Sequence, residues 1–391
     1  MTDAERKLRR ALHEERVPDE HEAERRAWRV VSAAAAEGAA VGVHRSRNRR
    51  RALQAAVAMG LIALVASPAG ASVRRWIADR IAPGVEHAKP VLSGLPGSGS
   101  LLVQSQEGPW VVRPEGGKRL LGSFSEASWS PHGLFVVATG HHEIAALEPS
   151  GTVRWTIAKR GPVRLARWNG PDGYRIAYLD GRALRVIDGN GLNDRLIARG
   201  VPRIAPAWKS GPAHVLAYVK ASGMVEAISA DTRIPLFKAV PGAAPFSLQW
   251  TAGRLLIVMP DGLQLLDASG RSLWRWTAPR GAAVWSATAS PRGDDIVAVV
   301  HRGGTSRLLR LGPGRPPRVV FAGPGHFAKP VWSPDGHWLL LPWPSADQWL
   351  FINPESGSTR LHAVANVAAQ FAPGAPAPTR FPTVAGWCCT P

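Results

Sequence analysis

The 391-residue chain has two cysteines, adjacent to one another at Cys388-Cys389. Zinc-finger spacing is therefore excluded, and no homeodomain or RNP-type aromatic pattern takes its place. The sequence also lacks a nucleophile elbow, a phosphate-binding Gly loop and an HExxH pair, so it names no reaction. Acidic residues are few, 29 against 48 Lys and Arg. One long uncharged run occurs, at Ala52–Val73.

A basic balance suits anionic lipid, acidic polymers or nucleic acid. Of the charged side chains, 15 basic and 9 acidic fall within the first 76 residues, so the excess is spread along the chain rather than held in a tail. A solvated, Arg-rich surface is the ordinary reading of such a distribution. With no recognition module present, nucleic acid is not an expected partner. Gly 40 and Pro 34 suit many tight turns.

What the sequence does have is a tryptophan that returns. Trp129, Trp168, Trp208, Trp250 and Trp332 stand 39, 40, 42 and 82 residues apart, and Ala289 sits midway in the last interval. Similar turns follow: WSPHG from Trp129, WNGPDG from Trp168, ASPRG from Ala289 and WSPDG from Trp332. After each comes an apolar strand, such as LFVVATG, YRIAYLD or WLLLPW, then a second strand and a more basic third. Pro131, Gly133, Asp172, Gly173, Pro334, Asp335 and Gly336 form the repeat turns, because Pro presets φ and Gly tolerates positive φ. A period near 40 built of strands is the signature of a β-propeller. One unit cannot bury its own apolar faces, whereas a ring of them can. Trp129, Trp168, Trp208, Trp250, Trp332 and Trp387 are then blade anchors packed between neighbours.

The turn Trp332–Gly336 with its following strand and D/N-x-x-[ST]-G turn resembles the WD40-like or TolB-type (PD40) repeat of bacterial propeller proteins. The resemblance covers roughly residues 100–391, and it implies fold rather than function, because such propellers serve translocation, sensing and enzyme scaffolding alike.

The expected fold is all-β, a propeller of about seven four-stranded blades, with six as the alternative. Residues 101–122 carry three later strands of a blade without a leading Trp turn, and 381–391 carry a Trp and one strand with nothing after it. Ring closure by a C-terminal strand near Trp387 completes the count of seven. Residues 369–382, AQFAPGAPAPTRFP, read as a flexible insertion.

The N-terminal part is expected to be helical. Residues 1–51 read as a cytoplasmic segment with two amphipathic helices, 52–73 as one transmembrane helix, and 74–100 as a juxtamembrane helix and linker. The cluster RSRNRRR before the run predicts a cytoplasmic N-terminus and an outer propeller. Secretion after cleavage near Ala69-Gly70-Ala71 is the alternative. A helical head, one span and a large outer domain resemble the layout of membrane-bound anti-sigma factors, which implies a cytoplasmic partner for 1–51.

No catalytic, cofactor or metal residue is assigned. Cys388 and Cys389 are free or structural thiols, a vicinal disulfide, or a soft-metal or redox pair. In a strand the imidazoles of His141 and His142 diverge, against a shared metal. His132, His326 and His337 lie near blade turns and could meet on one face. The expected function is non-enzymatic binding of a protein or cell-envelope ligand at one propeller face, without a cofactor. The alternatives are a transmembrane regulator and an enzyme with a central-channel site; the additional roughly 200 residues of a hydrolase domain like that of prolyl peptidases are missing.

Overall fold

The computed structural model describes residues 92–389 except 171–173, 294, 356–359 and 374–378. The expectations for 1–51, for the span at 52–73, for most of the linker and for the turn residues Asp172 and Gly173 lie outside the described residues. Among the described residues no helix is long and apolar enough to cross a membrane.

The described chain forms seven antiparallel four-stranded sheets. Blade 1 is built from both ends of the described chain, with Thr383–Cys388 pairing beside Ser100–Gln104, then Pro109–Val112 and Lys118–Leu120. Blades 2 to 7 follow in sequence order. Their first strands are Glu126–Trp129, Val163–Trp168, Ala207–Trp208, Ser247–Thr251, Ala283–Ala289 and Val331–Trp332. These first strands, with Thr383–Cys388, neighbour one another around the centre of the ring. The six-bladed alternative is excluded, because the C-terminal strand is the innermost strand of a complete blade rather than an irregular tail.

Strand position explains strand sequence. The second strands are buried on both faces and read as unbroken apolar runs, as in Val215–Val219 and Leu339–Trp343. The outermost strands alternate. Ser272–Thr277 turns Trp274 and Trp276 inward and leaves Leu273 and Arg275 exposed. Each of six buried clusters takes its side chains from two neighbouring blades. The core is thus a series of slabs between blades, which is why no blade stands alone.

Closure is a matter of register. Leu101 pairs with Trp387, and a bulge at Leu102/Val103 brings Val103 opposite Val384. The Trp387 indole donates to the Ser98 carbonyl at 2.9 Å and meets Phe351 of blade 7 edge-on at 5.8 Å. The start of the Pro/Ala-rich insertion departs from expectation. Val367–Gln370 forms a short helix, α1, and Phe371 is only 1% exposed, packed on Trp349 at 5.2 Å. The Asp347 carboxylate accepts the Ala368 N–H at 2.8 Å, so this stretch is pinned to blade 7. An apolar aromatic in the loop outweighs the Pro/Ala composition around it.

Candidate functional site

The inner strands carry the site. The recurring Trp stands at or one residue before the end of each, with Ala289 in that place on blade 6. Residues two places earlier share the Trp side and are buried against a neighbouring blade: Ala127, Ala166, Leu248 and Ala287. Those one and three places earlier point the other way. They are Glu126 and Ser128, Arg167, Ser247 and Gln249, Ser286 and Thr288. They reach along the ring to the free edge of the next inner strand. Glu126 Oε2 accepts the Leu165 N–H at 2.6 Å. Gln249 Oε1 accepts the Ala289 N–H at 3.1 Å and the Thr288 hydroxyl at 3.2 Å.

The charges gathered there are mostly positive. Arg203, in the segment leading to blade 4, pairs with Glu126 Oε1 at 3.3 Å. Arg167 Nη1 donates to the Ala166 carbonyl at 2.7 Å. Burial lowers the Arg167 pKa, opposed by the negative charge of Glu126. Lys329 stands three residues before Trp332, the place that Glu126 and Ser286 hold in their own blades. Its amine is pulled down to about 8, first by burial and second by the charge of Arg167. Lys329 is nonetheless solvent-exposed, so water screens this shift. Arg167 belongs to blade 3 and Lys329 to the entry of blade 7, so the line between them crosses the lumen. Among the described residues no carboxylate pairs with Lys329. The perturbed lumen group is thus an amine.

One mouth of this lumen carries an aromatic platform. Trp285, near the start of the blade 6 inner strand, is 48% exposed. It stacks on His326 at 4.7 Å and 12°, and His301 closes the group at 5.1 Å from Trp285 and 4.8 Å from His326. His301 Nδ1 lies 3.3 Å from the Ser306 hydroxyl, and the His326 N–H donates to the Ser345 hydroxyl at 2.8 Å. These residues sit where blades link and where second and third strands turn. Lys329 follows His326 by three residues and lies toward the platform's end, whereas Arg167 directly precedes Trp168 and its turn.

The repeat turns occupy the opposite end. Ser333 Oγ accepts the Trp338 N–H at 2.9 Å, Asp335 accepts the His337 N–H at 3.0 Å, and Gly336 adopts φ 69°. Pro131 and Gly133 form the matching turn of blade 2, with Gly133 at φ 68°. A polar cleft of about 280 Å3 lies here, lined by Arg292, Asp295, Arg310, Arg315 and Glu355 among others. His132 and His337 belong to this end and His326 to the other, so the three do not meet. The sulfurs of Cys388 and Cys389 stand together and lie against the Ser130 and Pro131 carbonyls. His141 and His142 sit in an exposed turn before Glu143–Leu147 with rings stacked at 4.2 Å, so they do not diverge as a strand would require.

The anchor residues bridge blades. Trp168 stacks with Phe135 of blade 2 at 6.5 Å, Trp250 meets Phe237 of blade 4 at 6.3 Å, and the Trp208 indole donates to the Arg167 carbonyl at 2.8 Å. Trp129 and Trp332 pack in the same position of their own blades.

No family model matches the chain, and no curated protein matches it. Among solved structures, a chain of a mitotic checkpoint complex is similar at a TM-score of 0.51 and 19% identity, over 66% of this chain and 92% of that one. The Pan2 WD40 domain of Neurospora crassa is similar at 0.47 and 10% identity, over 62% and 79%. Hydrazine synthase of Kuenenia stuttgartiensis is similar at 0.47 and 12% identity, over 59% and 76%. The fold is a WD40-type β-propeller. At these identities the likeness concerns architecture alone, and 1598 solved chains share it, so it selects no function. The structure adds residues that the sequence reading missed: Glu126, Arg167, Trp285 and Lys329. A signal existed for three of them. Counting one and three places back from each recurring Trp finds Glu126, Arg167 and Lys329, whereas Trp285 becomes visible only with the bulge at Val284/Ser286.

Proposed function

We propose that the protein is a non-enzymatic, single-pass membrane protein of the TolB-like bacterial kind that presents its propeller outside the cell to bind a protein or envelope ligand. The observation that carries the binding reading is the platform of Trp285, His301 and His326. A half-exposed Trp stacked on one imidazole and flanked by a second, tilted one at a ring mouth presents a rigid apolar surface with polar edges, the composition of an interface anchor. A WD40-type propeller is suited to such a role, because loops from several blades converge at the mouth. The uncharged run Ala52–Val73 behind RSRNRRR supports the membrane reading and its orientation.

Two measurements test this. Protease protection on intact cells, with a tag at each end and membrane fractionation alongside, reports topology. A digested C-terminal tag with a protected N-terminal tag on a membrane-bound full-length chain is the expected result. A shortened chain beginning near Ser72 in the medium would overturn the anchor. For binding, a photo-reactive residue at Trp285 should give a discrete crosslink to an envelope component that the same residue at Leu273, on an outer strand, does not give. Identical adducts at both places would remove the platform as a binding surface.

A further inference from the structure

We infer that the partner of the Trp285 platform is an acidic protein segment, which sets an apolar side chain on the indole and carboxylates on Arg280, Arg302 and Lys329 at the same mouth.

The two ends of blade 6 differ in how their cations are answered. At the repeat-turn end Arg292 pairs with Glu355 at 3.3 Å, Arg315 pairs with Asp295 at 2.8 Å, and Arg310 pairs with the same Asp295. At the mouth end, Arg280 lies in the link that enters the blade, Arg302 ends its second strand Ile296–Arg302, and Lys329 lies in the link that leaves it. All three are exposed, and among the described residues none of them forms an ion pair. They also flank the platform. Arg302 directly follows His301, Lys329 follows His326 by three residues, and Arg280 precedes Trp285 by five. Arg302 Nε would stand 3.8 Å from a Cβ at Gly281, the residue next to Arg280. The mouth turns of the two flanking blades carry Asp261 and Asp347. Asp347 is engaged by the Ala368 N–H at 2.8 Å, and Asp261 forms no ion pair with any of the three cations. The positive charge around the platform is therefore unanswered from within, and complementarity has to come from a partner. Its arrangement selects the kind of partner. The cations stand one to a link or turn instead of in a contiguous row, and the half-exposed Trp285 stands among them. A phosphate polymer has nothing apolar to set on an indole, whereas a protein segment uses both, and Trp and Arg are the residues that anchor protein interfaces. Exposed charges of this kind act on encounter and orientation, with an effect that salt screens.

The inference rests on the platform as the binding surface, and the experiment separates the two. Binding to the full-length protein in neutral-lipid nanodiscs is measured at low and at high salt. At low salt the peptide Ac-Glu-Asp-Leu-Phe-Asp-Glu-NH2 should bind at least tenfold tighter than its amide counterpart Ac-Gln-Asn-Leu-Phe-Asn-Gln-NH2, and high salt should remove most of that advantage. Arg280→Glu, Arg302→Glu and Lys329→Glu combined should abolish the advantage while the amide peptide still binds, which shows that the variant is folded. Arg119→Glu, Arg275→Glu and Arg318→Glu combined change the net charge by the same amount on exposed positions of outer strands, and should preserve it. Trp285→Ala should weaken both peptides by one factor and leave their ratio intact. If Trp285→Ala changes neither peptide while the mouth cations still set the ratio, the platform reading fails and the charge reading survives. The inference is overturned if the two peptides bind alike, if both triple variants lose the advantage equally, or if polyphosphate or an oligothymidylate of similar charge binds tighter than the acidic peptide.

Discussion

Lys329 pays for its position. Its folded pKa of about 8 lies below the usual lysine value near 10.4, so the folded chain releases a proton that the unfolded chain keeps across that interval. Stability therefore rises with pH between about 8 and 10.4 on account of this group, by an amount that the solvent exposure of Lys329 keeps small. Lys329→Met should melt at a higher temperature than the parent at pH 7, with the difference closing by pH 10.5. A second residue-scale consequence concerns Gly336. Its φ is 69°, and a Cβ there would stand 2.5 Å from Arg292 Cγ. Gly336→Ala should cost about 1–2 kcal/mol, seen as a lower urea midpoint at constant m-value.

At the scale of the element, the closing strand Thr383–Cys388 contributes through one side chain above others. Trp387 is 7% exposed and sits between blades 1 and 7. Trp387→Ala should destabilise by about 3–5 kcal/mol, whereas Trp285→Ala, which removes a half-exposed ring, should change stability by less than about 0.5 kcal/mol. Chemical unfolding of the two variants side by side checks this. The sequence made the seven strand groups and the shared blade legible, because a recurring Trp and Pro-x-Gly turns mark each period and the two incomplete ends complement each other. It made the lumen less legible. Arg167 and Lys329 lie 162 positions apart, and only the ring brings them near enough to influence one another. The docked Phe371 was hidden by Pro and Ala around it, and the stacking of His141 on His142 by a turn that reads as strand.

Across the described residues, ion pairs are organised around a few carboxylates. Burial works to raise the Asp194 carboxyl, but hydrogen bonds from Arg185, Lys159 and Tyr178 outweigh it and hold the pKa low. Glu226 is held low in the same manner by Tyr218 and Lys220 against burial, and Asp231 by His214 and Arg175. Groups with depressed folded values stabilise above their unfolded values and lose that contribution as pH falls. The denaturation midpoint should therefore drop steeply below about pH 4, where ordinary carboxylates titrate. Asp347 runs the other way, since burial raises it despite the N–H groups of Ala368 and Val367, but one group against three leaves the direction unchanged.

Blade 1 has a consequence for biosynthesis. Its innermost strand is Thr383–Cys388 and its other three lie between Ser100 and Leu120, so the earliest propeller strands to leave the ribosome must wait for the last. Until then Ser100–Gln104 is an open strand edge, competent to pair with a neighbouring nascent chain. A product cut short before Thr383 would keep that edge permanently. The ring thus discriminates finished from unfinished molecules, leaving the unfinished ones exposed to proteolysis or aggregation.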